Sequence, residues 1–141
     1  MTFLEKSAWL MSLALLASGG YYLWTVYRVS EALGETAPPN IGVIAVSTII
    51  LVAFAIFGHA LAALGNPAGA DAPEDERDKL VSWRAGNIAG YVLGFFAMAG
   101  LWHFAFHADG NLLFHTVVLG LVVSQLADYG LSLWFYRSGV V

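Results

Sequence analysis

Four long apolar segments dominate this sequence and restrict what it can fold into. They cover about residues 8–28, 41–64, 84–107 and 112–136, and most charged residues lie outside them. At about 1.5 Å of rise per residue, each segment is long enough to cross the hydrocarbon core of a bilayer as one α-helix. The sequence therefore predicts a single-domain, all-α integral membrane protein folded as a four-helix bundle.

The composition supports this prediction. Hydrophobic residues make up 59% of the chain and charged residues 11%, whereas roughly 25% are charged in a typical soluble domain. A globule of this composition would have too little polar surface in water, but lipid solvates an apolar exterior. The net charge of −4 argues against nucleic-acid binding, and the absence of cysteine excludes disulfides and thiolate metal sites.

The first apolar segment could instead be a cleaved signal peptide, since Ala17-Ser18-Gly19 is a plausible cleavage neighbourhood. Its apolar run, however, continues through Tyr21-Tyr22-Leu23-Trp24, beyond the roughly 7–15 residues of a signal-peptide core. We therefore expect an uncleaved span.

Basic residues near the ends of the spans predict the orientation, because cytoplasmic loops are enriched in lysine and arginine. Only Arg28 lies at the connections on one side, next to a predicted span boundary. The other side holds Lys6, Arg77, Lys79, Arg84 and Arg137. We expect both termini to be cytoplasmic, with the protein in the plasma (inner) membrane of a prokaryote.

Small residues recur every four positions on the third and fourth spans. Gly86, Gly90 and Gly94 form a stripe on the third span, and Gly120 and Ser124 begin a similar stripe on the fourth. Such stripes let helix backbones approach closely in lipid. Two interpretations are open: the two spans pack on each other, or the stripe binds a second copy or the span of a partner protein.

Asp128 is the only acidic residue deep within a predicted span, and it should face the protein interior because a carboxylate is costly in lipid. His59 lies at a similar depth in the second span, with Gln125 close to Asp128 in sequence. We expect an Asp128–His59 pair. It could hold the helices together, relay protons or bind an ion, or line a ligand pocket.

Three histidines and an aspartate gather at the opposite, outer side: His103, His107, His115 and Asp109. His103 and His107 are four residues apart and so share a helix face, which suits a divalent metal. His115 lies roughly opposite the stripe on the fourth span, which opposes convergence of all three histidines. Interfacial histidines without a metal are the alternative, and haem ligation by His59 or His103, each with alanine four residues earlier, is another.

A charged stretch at about residues 73–83 precedes the third span, and Arg84 begins that span. We call Asp75–Arg84 the charged collar. Its exposed side chains could contact a cytosolic partner, and the alternative is a solvated helix start whose Arg84 reaches lipid headgroups. The residues named for partner contact are Asp75, Glu76, Arg77, Asp78 and Arg84.

The run Asp75-Glu76-Arg77-Asp78, followed by Leu80-Val81 and by Arg84 to Ala89, resembles a family of small, uncharacterised prokaryotic membrane proteins. That family has four predicted spans and an Asp-Glu-Arg motif before the third. Some similar proteins are associated with small helix-turn-helix regulators, so the resemblance implies a signalling or regulatory role. It implies no role for Asp128 or the histidines.

The sequence contains no phosphate-binding glycine loop, no Gly-x-Ser-x-Gly elbow and no His-Glu-x-x-His helix. We therefore expect a non-enzymatic accessory or regulatory membrane protein without a cofactor, in contact with lipid and with a second copy or a partner membrane protein. The alternatives are a metal- or haem-binding membrane protein and a small oligomeric transporter or channel that uses Asp128 and His59.

Overall fold

The computed structural model describes residues 3–65 and 75–139, and this part of the chain contains α-helices and no strand. The four helices are α1 (Phe3–Leu33), α2 (Ile41–Gly65), α3 (Glu76–His107) and α4 (Gly110–Ser138). The predicted all-α class is confirmed, and each predicted span lies within one helix.

The connection between α1 and α2 is shorter than the sequence suggests, because α1 continues past Arg28 to Leu33. The helix ends at Leu33, and the following Gly34 has a φ of +73° and donates its N–H to the Ser30 carbonyl at 2.9 Å. Glycine adopts this left-handed conformation without steric cost. Asn40 then caps α2 by accepting the Gly42 N–H at 2.8 Å.

Helix α3 starts at Glu76, within the charged collar. The predicted charged stretch begins at about residue 73, and residues 73–74 lie outside the described part of the chain. Asp75 is the N-cap: its carboxylate accepts the Asp78 N–H at 2.7 Å, and the Asp78 carboxylate accepts the Asp75 N–H at 3.2 Å. This reciprocal capping box satisfies two backbone donors at the start of the helix.

The four helices form a row instead of a closed bundle. Helix α1 packs against α2 and α4, and α4 packs against α3, while the outer helices α2 and α3 form no comparable interface in the described part of the chain. Helix α2 is apolar around its whole circumference, so it needs only one protein neighbour if lipid covers the rest. The outer helices therefore each keep a broad exposed surface.

Three of the four helices, α2, α3 and α4, are long and apolar enough to cross a membrane. Helix α1 has the length but falls outside this set, because its tyrosine, tryptophan, serine and glycine residues lower its mean hydropathy. The prediction of four spans is thus supported for three of them. The cytoplasmic termini and the prokaryotic plasma membrane stay predictions.

The row has two ends that we name by their connections. At the turn end lie the α1–α2 connection and the two-residue turn between α3 and α4, where Ala108 has a φ of +53° and Asp109 caps α4. At the terminal end lie the starts of α1 and α3 and the ends of α2 and α4. Polar side chains concentrate at both ends, and there the candidate sites lie.

Candidate functional site

One face of α3 is built from glycine and has no neighbour among the described residues. A Cβ atom placed on Gly86, Gly90 or Gly94 would meet none of their heavy atoms within 4 Å. The opposite face of α3 packs on α4 through the buried Val81, Ala85, Ala89 and Gly100. The interpretation that the glycine stripe packs on the fourth span is therefore wrong, because alanines and Gly100 occupy that interface.

The stripe on the fourth helix does lie in the interface between α3 and α4. A Cβ on Gly120 would lie 2.6 Å from the Cβ of Phe96, which is closer than packed carbon atoms approach. Ser124, one turn further, is buried. Gly120 thus has no room for a side chain, whereas the three glycines of α3 have open space around them.

Asn87 belongs to the same open face. On a helix of about 100° per residue, Asn87 lies about 20° from Gly94 and about 60° from Gly90. Its side chain is exposed and forms no hydrogen bond within the described residues. Sequence reasoning gave Asn87 no role, although an amide within an apolar segment is a detectable signal. We call Gly86, Asn87, Gly90 and Gly94 the glycine face.

The charged collar next to this face is fastened to the end of α4. Arg77 donates from Nη2 to the Tyr136 carbonyl at 3.0 Å, and its guanidinium carbon lies 5.9 Å from the centre of the Tyr136 ring. The Tyr136 hydroxyl donates to Asp78 at 3.0 Å. Arg77 and Asp78 therefore have a structural role in addition to any partner contact, whereas Asp75 and Glu76 are exposed.

Asp128 and His59 do not form the predicted pair. The His59 Nδ1 lies 2.8 Å from the Ala55 carbonyl and its Nε2 lies 2.8 Å from the Ser7 hydroxyl. A carbonyl only accepts, so Nδ1 carries the proton and Nε2 accepts from Ser7. Nδ1 thus bonds within α2 and Nε2 joins α2 to α1, so neither nitrogen is free for haem. Helix α1 lies between α2 and α4 in the row, which separates the two residues.

Asp128 instead faces a cavity of about 140 Å³ at the terminal end, and Gln125 is exposed and does not line it. The cavity lies among α1, α3 and α4, and we call it the Asp128 cavity. The Asp128 carboxylate accepts no hydrogen bond within the described residues. The residues lining the cavity are Leu4, Ser7, Ala8, Asp78, Ser82, Asp128, Tyr129, Ser132 and Tyr136.

His115 lies at the turn end, where it is buried and fully hydrogen-bonded. Its Nε2 donates to the Ala37 carbonyl at 2.8 Å, so Nδ1 accepts from the Tyr22 hydroxyl at 2.7 Å. These bonds join α4 to α1 and to the connection that follows α1. No ring nitrogen of His115 is left to bind a metal.

Asp109 is occupied in a similar way. Its carboxylate accepts the Leu112 N–H at 2.9 Å and the Thr36 hydroxyl at 3.1 Å. The hydrogen bond from the Leu112 backbone, helped by the bond from Thr36, holds the pKa of Asp109 below its ordinary value. Asn111 donates to the Thr36 carbonyl at 3.2 Å, which completes the contact between the two connections.

His103 and His107 stack face to face instead of pointing to a common metal position. Their ring centres are 4.3 Å apart and the planes are inclined by only 11°. A ring nitrogen binds a metal within its own ring plane, and two nearly parallel planes share no nearby point. With His115 and Asp109 occupied elsewhere, the structure does not assemble the predicted metal site, and the described residues hold no group of three metal-ligating side chains.

Comparison of the chain with protein-family models, with curated proteins and with solved structures gives no match. The resemblance to the four-span family therefore stays a prediction.

Proposed function

We propose that this chain is a small, non-enzymatic integral membrane protein with an accessory or regulatory role, which works as an oligomer joined through the glycine face of α3. The observation that carries this proposal is the open face of Gly86, Asn87, Gly90 and Gly94 on a helix apolar enough to span a membrane. The charged collar at the start of the same helix supplies the cytosolic contact surface.

The glycines favour a helix as the occupant of this face. Association of helices in lipid depends on van der Waals contact, because lipid tails are as apolar as the side chains. Glycine at 86, 90 and 94 lets a second backbone come close enough for Cα–H contacts to carbonyl oxygens. A lipid chain gains less from such a groove, because it has no backbone carbonyls to offer.

Asn87 favours a second copy of this chain as that helix. An unpaired amide in hydrocarbon is costly, and its side chain both donates and accepts hydrogen bonds. Copies of one membrane protein share one orientation, so a two-fold axis along the membrane normal brings Asn87 opposite its counterpart at the same depth. The two amides can then pair with each other, and the glycine stripes meet in register.

Such a dimer would also place two collars side by side at the cytosolic surface. Asp75 and Glu76 are exposed on each collar, while Arg77 and Asp78 are fastened to Tyr136. A partner would therefore meet a rigid surface with exposed carboxylates, which suits a basic cytosolic segment. A regulatory role follows if dimerisation and partner binding favour each other.

Cysteine cross-linking tests the interface, because the natural chain has no cysteine. We expect Gly94→Cys to form a disulfide-linked dimer in membranes on mild oxidation. Gly130→Cys is the matched control, since Gly130 is exposed on α4 with the same open space around it. Equal cross-linking at both positions, or none at Gly94→Cys, would contradict the proposal.

A bulky side chain on the glycine face tests whether the dimer can be disrupted. Gly90→Leu has room within one chain and should fold, but it should reduce dimerisation measured by light scattering in mild detergent. Gly130→Leu should leave the dimer intact. Dimer loss in both variants, or in neither, would place the contact elsewhere, and a heteromeric complex recovered from the membrane would point to a partner span.

A further inference from the structure

We infer that the Asp128 cavity is a binding site for a small monovalent alkali cation, held by the Asp128 carboxylate and by neighbouring hydroxyl groups. This inference does not depend on the proposed oligomer, because all the residues that line the cavity belong to one chain.

The cavity is lined by several polar residues with unused hydrogen-bonding capacity. Ser82, Tyr129 and Ser132 carry hydroxyl groups, and like Asp128 they form no hydrogen bond within the described residues. Ser82 is exposed, whereas Asp128, Tyr129 and Ser132 are half-buried. Three half-buried polar groups with free capacity around one space suit a polar or charged occupant.

The spacing along the helices explains how these groups converge. Asp128 and Ser132 are four residues apart on α4 and share a face, as do Asp78 and Ser82 on α3. The two helices run antiparallel and pack closely, and Tyr136 meets Asp78 at their ends. Ser7 of α1 completes the wall, with its own proton directed to His59.

The number of free carboxylates favours a monovalent ion. Both oxygens of Asp78 already accept hydrogen bonds, one from the Tyr136 hydroxyl and the other from the Asp75 N–H. Among the described residues that line the cavity, Asp128 is thus the one carboxylate with both oxygens free. Calcium sites in proteins commonly use several carboxylates as direct ligands.

The kind of ligand atom and the size of the cavity further restrict the class of ion that can bind. All the available ligands are carboxylate or hydroxyl oxygens, which suit hard cations and do not favour copper or zinc. The cavity of about 140 Å³ has room for an ion together with waters.

The position of the cavity gives the ion a route from one side. It extends from Leu4, Asp78 and Tyr136, near the ends of their helices, to Asp128. Asp128 is ten residues before Ser138, the last residue of α4, or about 15 Å along the helix axis. An ion that enters from the terminal end therefore reaches a carboxylate inside the candidate span. Ionisable residues within spans mark ion sites and pathways in many membrane proteins.

Equilibrium dialysis of the purified full chain against radioactive sodium, with rubidium as a potassium substitute, tests this directly. We expect saturable binding of about one ion per chain, which Asp128→Asn abolishes. Asp75→Asn is the matched control, because it removes a carboxylate at the same end of the molecule but outside the cavity wall. Equal loss in both variants, or no saturable binding by the natural chain, would overturn the inference.

Two further measurements distinguish loss of the ion site from misfolding of the Asp128→Asn variant. Ser82→Ala and Ser132→Ala keep the charge and should each weaken ion binding several-fold while the helix content by circular dichroism stays unchanged. The melting temperature of the natural chain should rise saturably in sodium or potassium chloride relative to choline chloride at equal ionic strength. A response to pH but to neither alkali ion would mean that Asp128 binds only a proton, which would overturn the inference.

Discussion

Two sets of polar side chains at opposite ends of this molecule differ in how much of their hydrogen-bonding capacity is used. At the turn end, His115 uses both ring nitrogens, and Asp109 accepts two hydrogen bonds from the neighbouring connection and helix. At the terminal end, Asp128 faces a cavity without a hydrogen bond from the described residues. A polar group that makes all its hydrogen bonds to other protein groups holds helices together. A polar group with unused hydrogen-bonding capacity is available to a ligand.

The difference has a physical origin in what each group can gain. A buried hydrogen bond contributes about 1 kcal/mol net, but a buried group that loses its partner costs about 1–3 kcal/mol. His115 therefore stabilises the fold through its hydrogen bonds, whereas Asp128 accepts none from the described residues. An ionisable residue within a candidate span favours a functional role at the terminal end.

The largest expected effect comes from breaking the turn end. His115→Phe keeps a flat ring in place but leaves the Ala37 carbonyl and the Tyr22 hydroxyl without partners. We expect it to lower the free energy of unfolding by about 1–3 kcal/mol for each of the two groups. The loss is measured by denaturant titration in mixed micelles.

Tyr22→Phe in the same background is the control for this prediction. It removes the stranded hydroxyl, so Tyr22→Phe/His115→Phe should be more stable than His115→Phe alone. If His115→Phe were as stable as the natural chain, the turn end would not be the structural clamp of the row.

Substitution of Asp128 by an apolar residue should raise the free energy of unfolding, whereas His115→Phe lowers it. A carboxylate in a span costs about 2.5–3.5 kcal/mol on insertion scales, and Asp128 has no hydrogen-bond partner among the described residues that offsets this cost. We expect Asp128→Leu to raise the stability in choline buffer, by at most that amount, when measured by the same titration. A loss comparable to that of His115→Phe would mean that Asp128 is a second structural clamp, and the contrast between the ends would fail.

The sequence predicted the helices well and the contacts between them poorly. Apolar length located all four helices, and periodicity identified which residues share a face. Periodicity does not say which neighbour covers that face, because this depends on the order of helices in the row. Thus Gly86, Gly90 and Gly94 were correctly placed on one stripe, but α4 packs on the other side of α3.

The same limit explains the errors at the polar residues. His59 and Asp128 match in depth, but α1 lies between their helices and supplies Ser7 as the partner of His59. The expected position of His115 opposite the stripe on α4 was informative, because that direction leads to α1 and Tyr22. Depth and direction could be predicted from the sequence, whereas the identity of the opposing helix could not.

The smallest expected effect is on the pH dependence of stability, which should again differ between the turn end and the terminal end. The Leu112 N–H and the Thr36 hydroxyl lower the pKa of Asp109 in the folded state relative to the unfolded state. The folded state therefore binds this proton less readily, so the stability that Asp109 contributes is present above the unfolded value of about 4. It is lost as the pH falls through the lower, folded pKa.

Asp109→Asn should therefore reduce the acid sensitivity of unfolding below about pH 4 while leaving the cap in place, since asparagine also caps helices. Melting curves between neutral and acidic pH measure this, with Asp75→Asn as the control at the terminal end. If the two variants changed the acid sensitivity equally, the hydrogen bonds at Asp109 would not distinguish the turn end. An effect confined to Asp109→Asn would show that the turn end draws its stability from a charged carboxylate that is already fully engaged.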